Sequence, residues 1–401
     1  MNPSAKTINN LIEFAHNQLN RIIIPFWEYH LNVNDSGIFP GSVDTGNLPD
    51  RNAPVGLIMN ARVLWTFSAL YSYKKKPAHI KIAHNAYRII TQYFYDNLNN
   101  GYYWSIDSNG NVVDRKKQIY AQAFVIYGLS EYYNSTGNAY ALEKAKELLY
   151  LLEEIAYDTQ NNGYFEAFSG NWELAEDSRL SEKDMNEKKT MNTHLHILEA
   201  YTNLYKVWNN SFLKTRIKNL LQIFESYIID PGTYHFNLFF DEKWKIKSNK
   251  ISYGHDIEGS WLLYEAAAKI KNHRLSKEYT EIAVRIAESV IPAINPDGGI
   301  PYEYNEKLYP EGEFEWWVQA EGIVGLINVF QITGNNKYLS LAKKLSEFTG
   351  KYFVDKKYGE WYFRLDKEKK PILSYEKAGF WKCPYHNTRM CIEIINRLNV
   401  P

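Results

Sequence analysis

Three histidines stand where side chains from different parts of the chain could meet and exchange a proton. His255 lies in Tyr253-Gly254-His255-Asp256-Ile257-Glu258-Gly259-Ser260-Trp261, His386 in Trp381-Lys382-Cys383-Pro384-Tyr385-His386-Asn387-Thr388-Arg389, and His196 in Met191-Asn192-Thr193-His194-Leu195-His196-Ile197-Leu198-Glu199-Ala200-Tyr201. Imidazole titrates closest to neutrality, so each can act as acid or base at pH 7. His255 with Glu258, and His386 with Arg389, are three residues apart, which puts each pair along one side of a helix. In the third run, positions 192, 196, 199 and 203 share a face that reads Asn, His, Glu, Asn, whereas 194, 198, 201 and 205 read His, Leu, Tyr, Tyr. His196 is therefore the site candidate and His194 a packed residue.

Two more runs carry unusual polar groups. Arg62 sits in the otherwise apolar Pro54-Val55-Gly56-Leu57-Ile58-Met59-Asn60-Ala61-Arg62-Val63-Leu64-Trp65, and Glu315-Trp316-Trp317-Val318-Gln319-Ala320-Glu321 opens another segment. A single histidine at a helix start is usually a satisfied structural group, but three of the ten falling at equivalent starts favours a site role for His255 and His386. The Trp316–Trp317 pair by itself reads as core just as well. Charged runs at 143–147 and 182–184 read as solvated surface, with Asp184 set apart because its long loop overhangs the helix starts. No His-Glu-x-x-His occurs, the His-x-His spacing cannot aim both rings to one side, and no glycine-rich phosphate loop is present. The residues thus point to chemistry without metal or cofactor.

These runs must be positioned by helices. Apolar spacing at three and four residues marks about twelve, near 5–30, 54–74, 77–98, 117–135, 138–156, 187–208, 211–229, 256–271, 274–291, 313–333, 336–353 and 384–398. Six tags built on Gly37, Gly101, Gly163, Gly232, Gly298 and Gly359, each beside aromatic or apolar residues, recur 61 to 69 residues apart. That period fits a helical hairpin, so the chain reads as six hairpins closed on themselves, an all-α (α/α)6 barrel forming a single catalytic domain over 1–401. Short turns such as Lys76-Pro77 and Thr333-Gly334-Asn335 alternate with long loops at 99–116, 157–186, 230–255, 292–312 and 354–383. All long loops then share one face, where a site belongs, and the candidate helices begin there. Their N-terminal dipoles disfavour a charged imidazolium. Short strands are expected only within the aromatic tags.

Lys+Arg and Asp+Glu are equal at 46 each, which leaves no electrostatic case for nucleic acid or an anionic membrane. No basic-then-apolar leader or membrane-length apolar stretch appears, and two cysteines supply neither a disulfide framework nor a zinc site, so a cytoplasmic protein is expected. The 32 Tyr and 11 Trp exceed what a core requires and suit a surface for sugar rings.

The stretches around Arg62, 192–201, 255–261, 315–321 and 381–389 resemble the N-acylglucosamine 2-epimerase superfamily, most closely the cellobiose 2-epimerases, from about residue 10 to 398. Gly259 stands where Ala is expected and Phe380 where Pro is frequent. The resemblance implies inversion at C2 of the reducing-end sugar of a β-1,4-linked disaccharide, through ring opening and a cis-enediol. It implies His255 and His386 as the acid/base pair, with His196 assisting. It implies Arg62, Tyr120, Asn192, Glu258 and Arg389 as ligands to hydroxyls and oxyanion, Trp317 and Trp381 as stacking platforms, and Asp184, Trp316 and Glu321 as further substrate contacts. Glu258 is also expected to orient His255. The expected partner is a small disaccharide, and the chain a monomer or weak homo-oligomer. Alternatives are an aldose–ketose isomerase, an N-acylglucosamine 2-epimerase, a glycan-binding protein, or an inverting glycosidase using Glu258 and Glu321, whose carboxyl groups would then stand roughly 6.5–9.5 Å apart.

Overall fold

A computed structural model describes residues 3–31, 37–304 and 312–399. Ser36 of the first tag and part of the loop at 292–312 lie outside the described residues. In chain order the helices are α1 (Pro3–Asn17), α2 (Ile24–His30), α3 (Leu57–Lys74), α4 (Pro77–Ile89), α5 (Ile119–Thr136), α6 (Ala139–Ile155), α7 (Met191–Val207), α8 (Ser211–Ile223), α9 (Tyr253–Lys269), α10 (His273–Val290), α11 (Trp316–Thr333), α12 (Asn336–Tyr352) and α13 (Tyr385–Leu398). The expected first helix is interrupted by a π-helical turn at Gln18–Ile23, and π-helical turns also end α4 and α8.

Helices α3, α5, α7, α9, α11 and α13 pack side by side in that order, and α13 returns to α3. The ring of six is closed, and the remaining helices back it from outside, giving the (α/α)6 barrel. Sequence dictates which helix goes where. From Leu57 to Ser68, α3 is buried on every face, as a helix enclosed by neighbours must be. By contrast α10 buries only the stripe Tyr279, Ala283, Ile286, Ala287 and Val290. The short turns are made by residues suited to them. Gly137 and Gly334 end α5 and α11 with positive φ, and Asn138, Asn210, Asn272 and Asn335 cap the outer helices through side chains that accept backbone N–H groups. Each such cap is worth about 1 kcal/mol.

The opposite face is tied together differently. Strands are confined to segments of two or three residues. Those just before an inner helix (Val55–Gly56, Lys117–Gln118, Lys189–Thr190, Phe314–Glu315) pair antiparallel with those following the next tag (Ser105–Ile106, Ala167–Phe168, Phe239–Phe240, Arg364–Leu365). Each ladder links one hairpin to its successor. The tags lock onto the helices through one side chain per hairpin. Gln122, His194, Asp256 and Gln319 accept the backbone N–H of Tyr102, Tyr164, Phe236 and Ile300. Gly163 shows why the tag needs glycine: its φ is +85°, and a Cβ there would lie 2.4 Å from Trp244 and 2.8 Å from His194 Nε2. The substitution of Gly for Ala at 259 has a similar cause, because the Phe236 ring would stand 2.3 Å from a Cβ.

Candidate active site

Counting from the residue that locks each tag fixes depth in the barrel. One residue earlier stand Ala121, Thr193, His255, Val318 and, in the matching register, Met59 and His386; two residues later stand Arg62, Phe124, His196, Glu258, Glu321 and Arg389. Of these, Arg62, His196, His255, Glu258 and His386 line the upper lumen. A cavity of about 490 Å³ opens there at the long-loop face, within the size range of small-molecule sites. Its wall includes Arg62, Tyr120, Asn192, His196, His255, Glu258, Trp316, Trp317, Trp381 and His386, with Asp184 on the overhanging loop. The loop crosses toward the far side, where Lys183 Nζ lies 3.5 Å from Tyr375 Oη, and Asp184 Oδ2 accepts from Ser181 N and Oγ at 2.9 Å each. Asn192 keeps a buried Oδ1 without a partner, an acceptor available to a hydroxyl ligand.

The three cavity histidines share an arrangement. His386 Nδ1 lies 2.7 Å from Glu321 Oε1, His196 Nδ1 2.9 Å from Glu199 Oε2, and His255 Nδ1 2.7 Å from Ser252 Oγ. Nε2 of each makes no protein hydrogen bond among the described residues. A carboxylate on Nδ1 fixes the neutral tautomer with its lone pair on Nε2. Burial holds all three rings below their ordinary pKa, His255 down to about 3, so each is neutral at pH 7. The ring of Trp317 bridges two of them, with its centroid 4.8 Å from His255 and 5.7 Å from His386. The two imidazoles are thus no farther apart than those separations combined. His194 has a different part: its Nδ1 bonds Thr190 O and its Nε2 takes the Tyr164 N–H, so both nitrogens are spent on backbone.

Two expected substrate ligands do not reach the cavity wall. Arg389 is buried behind it, bonded through Nη2 to Glu258 (2.7 Å) and Glu321 (2.8 Å) and through Nη1 to Glu199 and Tyr385. Glu321 is wholly buried and also accepts from Trp261 Nε1 at 3.1 Å. A guanidinium cannot leave three carboxylates to bind sugar without stranding buried charge. Glu258 reaches the wall, but its partner is Arg389 rather than His255, which Ser252 orients instead. Desolvation and then the Glu321 charge push Glu258 well above the ordinary carboxylate range, whereas against burial the Arg389 charge and the His196 hydrogen bond draw Glu199 down to about 2. The geometry also removes the inverting-glycosidase pair. Glu258 and Glu321 share one guanidinium nitrogen, leaving no room between them for a glycosidic bond and a water. Glu258, Glu321 and His386 are close enough to hold a metal ion, but Arg389 already bonds both carboxylates.

Arg62 contrasts with Arg389. Its guanidinium bonds Tyr120 Oη at 2.6 Å and Trp381 O at 3.4 Å and lies 4.2 Å from the Phe124 ring centroid. No carboxylate pairs with it among the described residues, and its Nε has no partner. A buried, uncompensated cation on the cavity wall can stabilise an anion formed there. Glu199 and Ser252 carried readable sequence signals, each three residues from a cavity histidine and within reach on a helix or at its start. Arg364, Phe363 and Tyr375, also on the wall, carried none, since their loop has no periodicity.

The model of the N-acylglucosamine 2-epimerase (GlcNAc 2-epimerase) family matches residues 37–389. The chain is 42% identical to a cellobiose 2-epimerase of Bacteroides fragilis over 94% of this chain and 97% of that protein, and 40% identical to one of Dictyoglomus turgidum over 96% and 97%. The solved cellobiose 2-epimerase of Spirochaeta thermophila superposes with a TM-score of 0.94 at 35% identity, covering 100% of this chain and 99% of the other. With its closed ring of helices and cavity histidines in the family's matched region, this chain belongs to the N-acylglucosamine 2-epimerase family.

Proposed function

We propose that the protein inverts C2 of the reducing-end glucose of β-1,4-linked disaccharides, converting cellobiose to glucosyl-mannose. The observation that carries this reading is a cavity whose wall presents three neutral imidazoles, each with an unbonded Nε2, beside the uncompensated Arg62. Relatives named cellobiose 2-epimerase support the substrate class. The reaction needs ring opening, removal of the C2 proton, and return of a proton to the opposite face of a planar cis-enediol.

His386 and His255 flank the reacting carbon in this reading, and His196 assists ring opening. Glu321 on Nδ1 holds the His386 ring with its Nε2 lone pair toward the cavity and offsets part of the cost that burial and the nearby arginines place on the imidazolium. The Ser252 hydroxyl holds His255 in place while that ring serves the other face. In one turnover His386 gains the C2 proton, while His255 takes a proton from solvent and gives it to the opposite face; exchange with solvent through the open cavity then returns both rings to the neutral state, and in the reverse direction the two exchange duties. Positioned proton transfer of this kind is worth about 10²–10⁴ in rate. Arg62, backed by Tyr120, faces the enediolate oxygen. Asn192, Glu258 and Asp184 bind hydroxyls, and Trp316, Trp317 and Trp381 line the ring faces. Arg389 acts behind the wall by holding Glu199, Glu258 and Glu321.

Residues 1–401 act as one domain in this reading, supported by the packing of α13 against both α1 and α3. No helix of the described residues is long and apolar enough to cross a membrane. Cys383 and Cys391 are buried and unpaired, which suits a cytoplasmic enzyme, working as a monomer or weak homo-oligomer. Incubation with cellobiose in deuterated water tests the reaction. Mannose at the reducing end with deuterium on C2 is expected; free glucose would establish hydrolysis and a ketose isomerisation. His255→Ala and His386→Ala should each abolish turnover in a folded protein, and full activity in either would defeat the pairing.

A further inference from the structure

The Trp317 ring packs against both imidazoles, so what holds that ring bears on how the two are aligned. Trp317 Nε1 donates to Glu315 Oε2 at 2.6 Å. The other oxygen of Glu315 accepts from Arg364 Nη2, and Arg364 Nη1 donates to Glu313 at 2.7 Å. Glu315 and Arg364 are also paired across a strand ladder, Phe314–Glu315 against Arg364–Leu365, that joins the hairpin of α11 to the next. Arg364 is buried and its guanidinium lies 4.9 Å from the Tyr375 centroid and 5.3 Å from the Tyr302 centroid. The indole N–H is thereby tied through a buried carboxylate and a planar guanidinium to the strand ladder on the rim. A ring with only packing to hold it could tilt, because a half-buried Trp at the start of a helix has an open side.

We propose that Glu315 and Arg364 are positioning residues: they fix the Trp317 indole and, through it, the alignment of His255 and His386 on opposite faces of the substrate. This deepens the two-histidine epimerisation reading and rests on it. Neither group transfers a proton. Their loss would leave each histidine able to exchange a proton with C2 on its own side, while the handover between faces becomes inefficient. The signature is therefore exchange without inversion.

The test uses the full-length protein with cellobiose in deuterated water. For wild type, Glu315→Gln and Trp317→Phe, deuterium entering C2 of recovered cellobiose is compared with the amount of epimer formed. Trp317→Phe keeps an aromatic ring and the Glu315–Arg364 pair while removing the N–H together with part of the indole surface, so it carries the test even where Glu315→Gln fails to fold. The expected result is a several-fold rise in the ratio of wash-in to inversion in each folded variant. The kcat for inversion should fall roughly tenfold, the equivalent of one lost buried hydrogen bond, with KM nearly constant. A wild-type ratio in the variants, even with lower overall activity, would overturn the positioning role, since a purely structural lesion lowers both processes together. Absence of any C2 wash-in and any epimer in the wild type would instead overturn the underlying reading, and this inference with it.

Discussion

Glu321→Gln separates a carboxylate that works through a histidine from one that meets substrate. The side chain sits behind the cavity wall, bonded to His386 Nδ1 at 2.7 Å, Arg389 Nη2 at 2.8 Å and Trp261 Nε1 at 3.1 Å. Glutamine keeps the shape but removes the charge that compensates a protonated His386. It also presents an amide N–H₂ where one of the three donors now points. A hydrogen bond to a charged group is worth about 1.5–3 kcal/mol, which corresponds to a loss of roughly 10–150-fold in kcat. Where the amide leaves His386 in the wrong tautomer, the loss extends toward ~10⁴, as for a comparable Asp→Asn change in a Ser-His-Asp triad. KM should change little, because Glu321 touches no part of the cavity. Stability should hold within about 1–2 kcal/mol, since three carboxylates share the Arg389 guanidinium and removing one relieves repulsion with Glu258. Steady-state kinetics by NMR of the anomeric protons, with a urea melt as control, measures all three. A folded variant with kcat within threefold of wild type would refute the claim that His386 becomes an imidazolium during turnover.

Further expectations follow from single contacts. His194→Gln should retain both fold and activity, because Gln122 and Gln319 lock their tags in the equivalent position, whereas His196→Gln should slow turnover; equal losses in the two would refute the division of labour. Gly163→Ala should cost about 1–3 kcal/mol from its positive φ and the Trp244 clash, read as a lower urea midpoint. Burial keeps His194, His196 and His386 neutral, with pKa values below the unfolded 6.5. Below that pH the unfolded chain binds protons the folded one refuses, so this stability is complete above pH 6.5 and is lost as pH falls, by up to ~1.4 kcal/mol per unit for each histidine. For His194 the loss continues to about pH 3, and denaturation midpoints that do not change between pH 7.5 and 5 would contradict it.

Much of the barrel was readable because it is written locally and repeated. The tags mark a real recurrence: in four hairpins a tag N–H is held by an acceptor side chain at a matching place, Gln122, His194, Asp256 or Gln319, although the held N–H follows the glycine directly at Gly101, Gly163 and Gly299 and lies four residues past Gly232. The unequal loops pointed to the face where the cavity opens. Helical spacing also separated His194 from His196, since an angle around one helix axis depends on that helix alone. Strands were less legible: ladders of two residues, such as Lys117–Gln118 with Ala167–Phe168, are too short to show alternation.

Sequence by itself determined the ring, the face on which the cavity opens and the residues that head inward from each inner helix, because those follow from periodicity within a hairpin. Tertiary structure alone decided who neutralises whom. Arg389 and Arg62 look alike as inward cations at equivalent depth, yet one is saturated by Glu199, Glu258 and Glu321 and the other faces the cavity without a carboxylate. Glu258 appeared to belong with His255, three residues away, and instead bonds Arg389, 131 residues on. Electrostatic partnership falls off with distance through space, which closing the ring sets, and that distance has no counterpart in spacing along the chain.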